Sequence, residues 1–432
     1  MQSTIAVSQL LRTDEVHQSI YTDPAIFDRE MDMIFGKAWI YVGHDSQIPR
    51  AGDYITARIG KQSVIMVRDK SGAIHVLYNR CPHKAAKLVP EGSCGHVRKL
   101  FRCPYHAWTF QHDGTLCAVP FSKRYEGTGF DSADPRFSMP HVARVASYRG
   151  FVFASLSPDG PDLATFLGGV ISSLENFCDR APEGKVAVAG GVFRVLQRSN
   201  WKIFLENLND TAHAQATHES SFVAARHTAQ ARGAEKLPFE LHIIEGNGEP
   251  NSFWEQIEWS GFDYGHSYMT SIFNAPQDEL SMAYRASLEK AYGAERAVSI
   301  LATSRHNTTI YPSCSPHTSF QQLRVIRPLA VDRTLVEIFT FRLLGAPEGL
   351  FQRTLTYSNV VNSPSSVVMV DDVDLYNRVH EGMANETGQW VSQHRRAGFE
   401  ETVGGEIKAD GVSEMPIRNQ FTAWKRYMSG EV

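Results

Sequence analysis

The first strong periodicity along the chain is helical. Ile26, Phe27, Met31, Ile34 and Phe35 recur at near-helical spacing behind Asp23, a capping residue, and Pro24, a first-turn proline. From about Trp39 to Leu156 the pattern changes to short strand-like runs. DYITARIG (53–60), SVIMVRD (63–69), AIHVLYN (73–79) and FVFASL (151–156) are separated by Gly, Asp or Ser, and Asp69-Lys70-Ser71-Gly72 reads as a hairpin turn. This predicts a small antiparallel β-domain over 39–157, preceded by a helical segment over 1–38. After about residue 160 the pattern is mixed. Helical stretches are predicted near 162–178, 201–217, 278–296 and 365–384, with strand-like runs FELHIIEG (239–246), HTSFQQLRVIRPL (317–329) and TLVEIFTFRLL (334–344) between them. Residues 158–432 therefore read as an α+β domain with an antiparallel sheet and helices on one side, and SPDGP at 157–161 is the expected linker.

Composition narrows the class. Hydrophobic residues make up 42% and charged residues 21%, which excludes disorder, collagen and coiled coil. Lys and Arg number 43 against 47 Asp and Glu, so no field of one sign exists to grip nucleic acid or anionic lipid. No basic stretch leads into an apolar one at the N-terminus, and no uncharged apolar run reaches about 18 residues, so a soluble, cytoplasmic chain is expected. Six cysteines are too few for a disulfide scaffold. Cys94, Cys117, Cys178 and Cys314 stand alone and read as small hydrophobes or bystanders.

Cys81 and Cys103 have company. The chain reads Cys81-Pro82-His83, nineteen residues, then Cys103-Pro104-Tyr105-His106. Two loops that each offer one thiolate and one imidazole can hold a tetrahedral zinc or a two-iron cluster. Zinc pairs are usually separated by two or more residues, so the one-residue gap at Cys81-x-His83 is awkward for zinc. In a Rieske [2Fe–2S] centre two cysteines hold one iron and two histidines the other, and each loop supplies one ligand to each iron. CPHK…CPYHAWTFQHDG resembles the Rieske domain of the aromatic-ring-hydroxylating, Rieske-type non-haem iron oxygenases. It departs from their commonest first loop, where Arg and Gly follow the ligand histidine; here Lys84 and Ala85 stand there. Lys keeps the charge but loses the planar donor fork, and Ala restricts positive φ.

A second constellation lies in NWKIFLENLNDTAHAQATHE (200–219). Asp210 and His213, three apart, would share a helix face, whereas His213 and His218 lie about 140° apart around a helix. Those two histidines converge on one metal only if the helix ends near His218. Two histidines and a carboxylate make a facial triad that leaves one side of Fe(II) open. By itself the segment reads more readily as surface or core histidines. It resembles the family's NWK…EN…D-x-x-H-x4-H signature throughout, and that resemblance implies that His213 and His218 ligate a mononuclear iron. It also implies that Asp210 links His213 to a Rieske histidine, His106, of a neighbouring subunit. PSSVVMVDDVDLYNRVHEGM (364–383) resembles the family's acidic helix, and its double aspartate offers Asp371 and Asp372, about 100° apart. By resemblance Asp372 is the third ligand, with Asp371 and Asp374 as solvated or capping charges.

What is missing also argues. No G-x-G-x-x-G follows a strand, and no ferredoxin four-cysteine spacing occurs, so electrons from NAD(P)H would arrive through a separate reductase or ferredoxin. The cationic run His96–Arg102 beside Cys103 is equally a donor-docking patch or an ordinary solvated loop. On QQLRVIRPL, Arg324 and Arg327 face opposite sides of a strand. Arg324 could pair with a substrate carboxylate, as a related position does in the terephthalate dioxygenase branch, or with a buried structural partner. The resemblance, over roughly 20–430, implies the catalytic α subunit of a Rieske oxygenase, with a Rieske β-domain and a START-like catalytic domain on which the N-terminal helix packs. The implied reaction is O₂-dependent cis-dihydroxylation of an aromatic acid, in a homotrimer with or without a small β subunit. Monohydroxylation or demethylation is the alternative reaction, and a zinc-stabilised, non-redox ligand-binding module the alternative class.

Overall fold

The computed structural model describes residues 7–233, 239–270 and 278–432. The chain forms two compact units, Phe35–Leu163 and a discontinuous one made of Met1–Ile34 with Ala164–Val432. Every strand pairing in both is antiparallel.

In the smaller unit Asp53–Ile59, Gln62–Arg68 and Ile74–Tyr78 form a meander. Its second turn is closed by the Asp69 carboxylate, which accepts from the amides of Ser71 and Ala73 at 2.8 and 3.0 Å. Alternation of apolar residues in these strands buries Ile65, Val67 and Leu77 against Phe101 and Phe110 from a second, three-stranded sheet and against Trp108 beside it. Cys81 and Cys103 lie inside this core.

The larger unit has a four-stranded sheet in the order Val186–Gln197, Arg333–Leu343, Gln322–Ala330, Cys314–His317. The register of its first pair shifts between Ala189 and Val192, where Gly190 takes φ +80°. A Cβ there would sit 2.5 Å from Leu355, so the bulge needs glycine. A five-stranded sheet runs Arg305–Thr309, Ser267–Thr270, Glu258–Gly261, Glu406–Asp410, Glu401–Val403. Two sequence expectations change here. The 317–329 run is not one strand: it breaks between His317 and Gln322 into a hairpin. FELHIIE is a helix, Phe239–Glu245, that packs beside the helix Glu219–Ala231. A short apolar run carries no decisive period, and helical neighbours settle it.

The N-terminal helix Pro24–Met33 is capped by Asp23, whose side chain accepts from Ala25 N at 2.7 Å. Its buried Glu30 accepts from Lys202 Nζ at 2.6 Å, Trp201 Nε1 at 2.8 Å and Trp424 Nε1 at 2.6 Å. Asn200 donates to Tyr21 O at 3.0 Å, and Tyr21 Oη donates to Glu206 at 2.8 Å. The side chains of Asn200, Trp201, Lys202 and Glu206 thus tie the N-terminal segment to the helix Trp201–Leu208 that leads into the second constellation.

Candidate metal centres

The two Cys/His pairs sit in matched loops. Cys81 N donates to Ala86 O (2.8 Å) and Ala85 N to Cys81 O (2.9 Å); Cys103 N donates to Trp108 O (2.8 Å) and Ala107 N to Cys103 O (3.1 Å). Both loops turn through an alanine in the left-handed region, Ala85 at φ +60° and Ala107 at φ +56°. The turns place the two thiols in contact inside the core, where burial and then Cys103 raise the Cys81 thiol. The two imidazoles lie toward the surface with ring centroids 4.7 Å apart. His83 stacks on Trp108, 4.7 Å away and 5° from parallel, and its buried Nδ1 has no hydrogen-bond partner. An unpartnered imidazole nitrogen beside a second histidine and two buried thiols fits the split donor set of a Rieske cluster. Burial and the nearby His106 and Lys84 lower His83.

The second constellation assembles differently from a single helix. The helix Trp201–Leu208 ends, and Asp210 follows in a turn, where its Oδ1 accepts from Ala212 N at 3.1 Å. Asp210 and His213 therefore do not share a helix face; the first helix stops before Asp210, at buried Asn209, which accepts from Ser267 and Thr309. His213 opens the helix His213–Thr217, and His218 stands between that helix and Glu219–Ala231 with φ −104° and ψ 18°. This is the break that a five-residue spacing needs. Asp372, in the first turn of Met369–Gly382, completes the group. One donor atom from each of His213, His218 and Asp372 lies within 4.8 Å of the others. His218 Nε2 is 3.5 Å and His213 Nε2 3.8 Å from Asp372 Oδ1. Atoms that share one metal at about 2.0–2.2 Å lie roughly 3–4 Å apart, so the group fits a single ion. Burial raises the Asp372 carboxyl, against the pull of His218 and His213.

Both outer imidazole nitrogens face carboxylates. Asp210 Oδ2 lies 3.5 Å from His213 Nδ1, and Asp371 Oδ2 lies 3.5 Å from His218 Nδ1. Asp371, half-exposed, is thus turned toward a histidine of the site, whereas Asp374 pairs with Arg378 at the surface. Burial lowers His213, but Asp210, 3.5 Å away, and the charge of Asp372 outweigh it and raise the group.

Sequence reasoning did not single out Asn207 and Arg395. Asn207 Nδ2 lies 3.1 Å from His213 Nε2 and 3.2 Å from Asp372 Oδ1; its place in the ENLND stretch was the available signal. Arg395 Nη2 donates to Asp210 Oδ1 at 2.5 Å, and nothing local announces a partner 185 residues away.

A cavity of about 120 Å³ opens onto the triad, lined among others by Asn207, His306, Asn307, Arg324, Tyr357 and Tyr376. Arg324 is buried. Its Nη2 donates to Asn307 Oδ1 at 2.9 Å and Ser315 Oγ at 3.2 Å, its Nε has no partner, and no carboxylate pairs with it among the described residues. The ion pair on this strand belongs to Arg327, 3.3 Å from Glu337. Tyr376, one turn after Asp372, feels the charges of both Asp372 and Arg324.

A cluster-type donor set in a β-unit, joined in one chain to a two-histidine, one-carboxylate site on a cavity, defines a two-centre iron oxygenase. Comparison agrees with this class. The Rieske [2Fe–2S] domain matches residues 38–148, and the catalytic domain of the ring-hydroxylating α subunit matches 188–425. The toluate 1,2-dioxygenase subunit alpha of Pseudomonas putida is 31% identical, over 85% of this chain and 78% of that one. The anthranilate 1,2-dioxygenase large subunit of Acinetobacter baylyi is 32% identical, over 74% and 67%. A structure of naphthalene 1,2-dioxygenase with indole in its active site matches with a TM-score of 0.81 at 25% identity, covering 97% of this chain and 93% of that one. The chain belongs to the family of ring-hydroxylating dioxygenase α subunits. It is an oxidoreductase whose cofactors are a Rieske [2Fe–2S] cluster and a mononuclear iron. No helix among the described residues is long and apolar enough to cross a membrane.

Proposed function

We propose that this subunit catalyses O₂-dependent cis-dihydroxylation of an aromatic carboxylate whose anionic group is held by Arg324. The carrying observation is a buried guanidinium in the triad's own cavity with no carboxylate partner among the described residues. A buried cation is costly until an anion joins it, so the cavity favours a ligand that brings one. Two relatives carry the names of aromatic acids, toluate and anthranilate, which supports the same substrate class.

In this reading Cys81, His83, Cys103 and His106 hold the cluster, and His213, His218 and Asp372 hold the mononuclear iron. When bound, the two centres supply one-electron transfer and O₂ activation. The chain's own residues do the rest. Arg324 anchors the carboxylate by charge-assisted hydrogen bonds, and Tyr376, which feels the charges of Arg324 and Asp372, lines the same cavity. The ring is thereby held at a fixed reach from the open side of the triad. Asp210 accepts from His213 and, across a subunit boundary, from His106 of a neighbouring chain, in a head-to-tail ring of three. A small β subunit is compatible with the names of the relatives, which are α or large subunits. Electrons come from NAD(P)H through a separate reductase or ferredoxin, and the enzyme works in the cytoplasm.

Arg324→Leu tests the substrate class. Losing a buried charge-assisted pair, about 2–3 kcal/mol, should raise KM for benzoate or a methylbenzoate roughly 30- to 150-fold and leave toluene, an uncharged analogue, nearly unaffected. O₂ uptake and product analysis across both classes give the readout. Equal losses on charged and uncharged rings in folded protein would overturn the anion-receptor reading.

A further inference from the structure

Asp210 has an anchor that the signature of the site does not include. Arg395 follows the short strand Trp390–Ser392, far along the chain from the histidines. Its own position is well determined: its backbone N donates to Glu414 Oε2 at 2.8 Å, and its Nε donates to Val412 O at 2.6 Å. Nη2 then reaches Asp210 Oδ1 at 2.5 Å, with Glu414 Oε1 3.7 Å away on the other side. Asp210 Oδ1 thus has two donors, Arg395 and the amide of Ala212 at 3.1 Å, while Oδ2 faces His213 Nδ1 at 3.5 Å. The side chain of Asp210 is only 20% exposed, so its partners beyond these are few, the proposed neighbouring His106 being one.

A carboxylate on a turn rotates about its side-chain torsions unless something fixes it. Pinning one oxygen from two directions leaves the other with a single orientation. We propose that Arg395 is a positioning residue for the Asp210–His213 pair: by holding Oδ1 it reserves Oδ2 for the imidazole and thereby sets the direction from which His213 presents its inner nitrogen. The proposal rests on the reading of His213 as a metal ligand oriented by Asp210. Partners of this kind are worth about 10- to 100-fold in metal affinity, and a residue acting through such a partner shares that effect without adding to it.

The test is a double-variant cycle read by metal binding, independent of turnover. Protein that retains its cluster but is stripped of the mononuclear iron is titrated with Co(II), followed by visible absorption. Cluster absorbance and the thermal midpoint check folding. Asp210→Asn should weaken Co(II) binding by tenfold or more, Arg395→Gln by about three- to tenfold, and Arg395→Lys by less than Arg395→Gln. Arg395→Gln combined with Asp210→Asn should be no weaker than Asp210→Asn alone, because Arg395 then has no carboxylate to hold. Wild-type affinity in Arg395→Gln, or a loss that adds in full to that of Asp210→Asn, would overturn the positioning role. Wild-type affinity in Asp210→Asn would instead remove the reading of Asp210 itself, and the proposal with it.

Discussion

At Ala85 the chain accepts a backbone conformation that its side chain disfavours. The turn after His83 must bring Ala85 N back to Cys81 O, and it does so at φ +60°. An L-residue there costs about 1–2 kcal/mol, because Cβ crowds the neighbouring carbonyl, and glycine escapes that cost. Part of the gain is offset by the greater freedom of glycine in the unfolded chain, about 0.4–1 kcal/mol. Ala85→Gly should therefore stabilise the loop by up to about 1 kcal/mol and raise Tm by about 2–4 °C, with the visible spectrum unchanged. Scanning calorimetry with parallel absorption reads both; a lower Tm would show that the alanine is not strained. At this scale the sequence was informative where spacing is local. The Cys-x-His and Cys-x-x-His gaps place their four side chains in two matched turns. Of the two left-handed alanines, Ala85 was legible only as a departure and Ala107 not at all, since neither letter states that the turn keeps its shape. Asn307 and Ser315, which hold Arg324, could not be read, because both come from neighbouring strands.

Elements are joined here by buried polar side chains as much as by apolar faces. Glu30 carries a buried charge that Lys202 balances, while two indole N–H groups satisfy its remaining acceptor sites. Removing one member of such a pair strands the other, which costs about 3–5 kcal/mol, whereas replacing both by neutral groups costs far less. Lys202→Met should thus lower stability by roughly that amount, and Lys202→Met with Glu30→Gln should recover most of it. Denaturant or thermal unfolding of the pair of variants decides; equal losses in both would mean that packing, not charge, dominates. The element map shows the same contrast between local and distant information. The Asp23 cap, the hairpin at Asp69 and the strand over Arg333–Leu343 are written in local periodicity. The partners of Glu30 lie 171, 172 and 394 residues away, and the helix Phe239–Glu245 is decided by its neighbours, so no window of sequence holds that information. The turn at Asp210 escaped for a related reason. Asn209 ends the helix through bonds to Ser267 and Thr309 on distant strands.

For the whole molecule, the decisive arrangement is that the two proposed metal centres draw on different units. Cys81, His83, Cys103 and His106 belong to Phe35–Leu163, and His213, His218 and Asp372 to the unit containing Ala164–Val432. No ligand serves both, so each centre should be lost without the other. His213→Ala, His218→Ala or Asp372→Ala should abolish mononuclear iron binding while the iron, acid-labile sulfide and brown colour of the cluster remain. Asp371→Ala should keep the iron but hold it about tenfold more weakly, since Asp371 orients His218 rather than joining the triad. Metal and sulfide analysis with the visible spectrum measures all of these. If Asp371→Ala lost the iron and Asp372→Ala retained it, the ligand would be the other aspartate of the pair. Were the purified protein to carry zinc alone, with no visible absorption, the four Cys/His donors would be a structural zinc site, and the cluster assignment to those residues would fall.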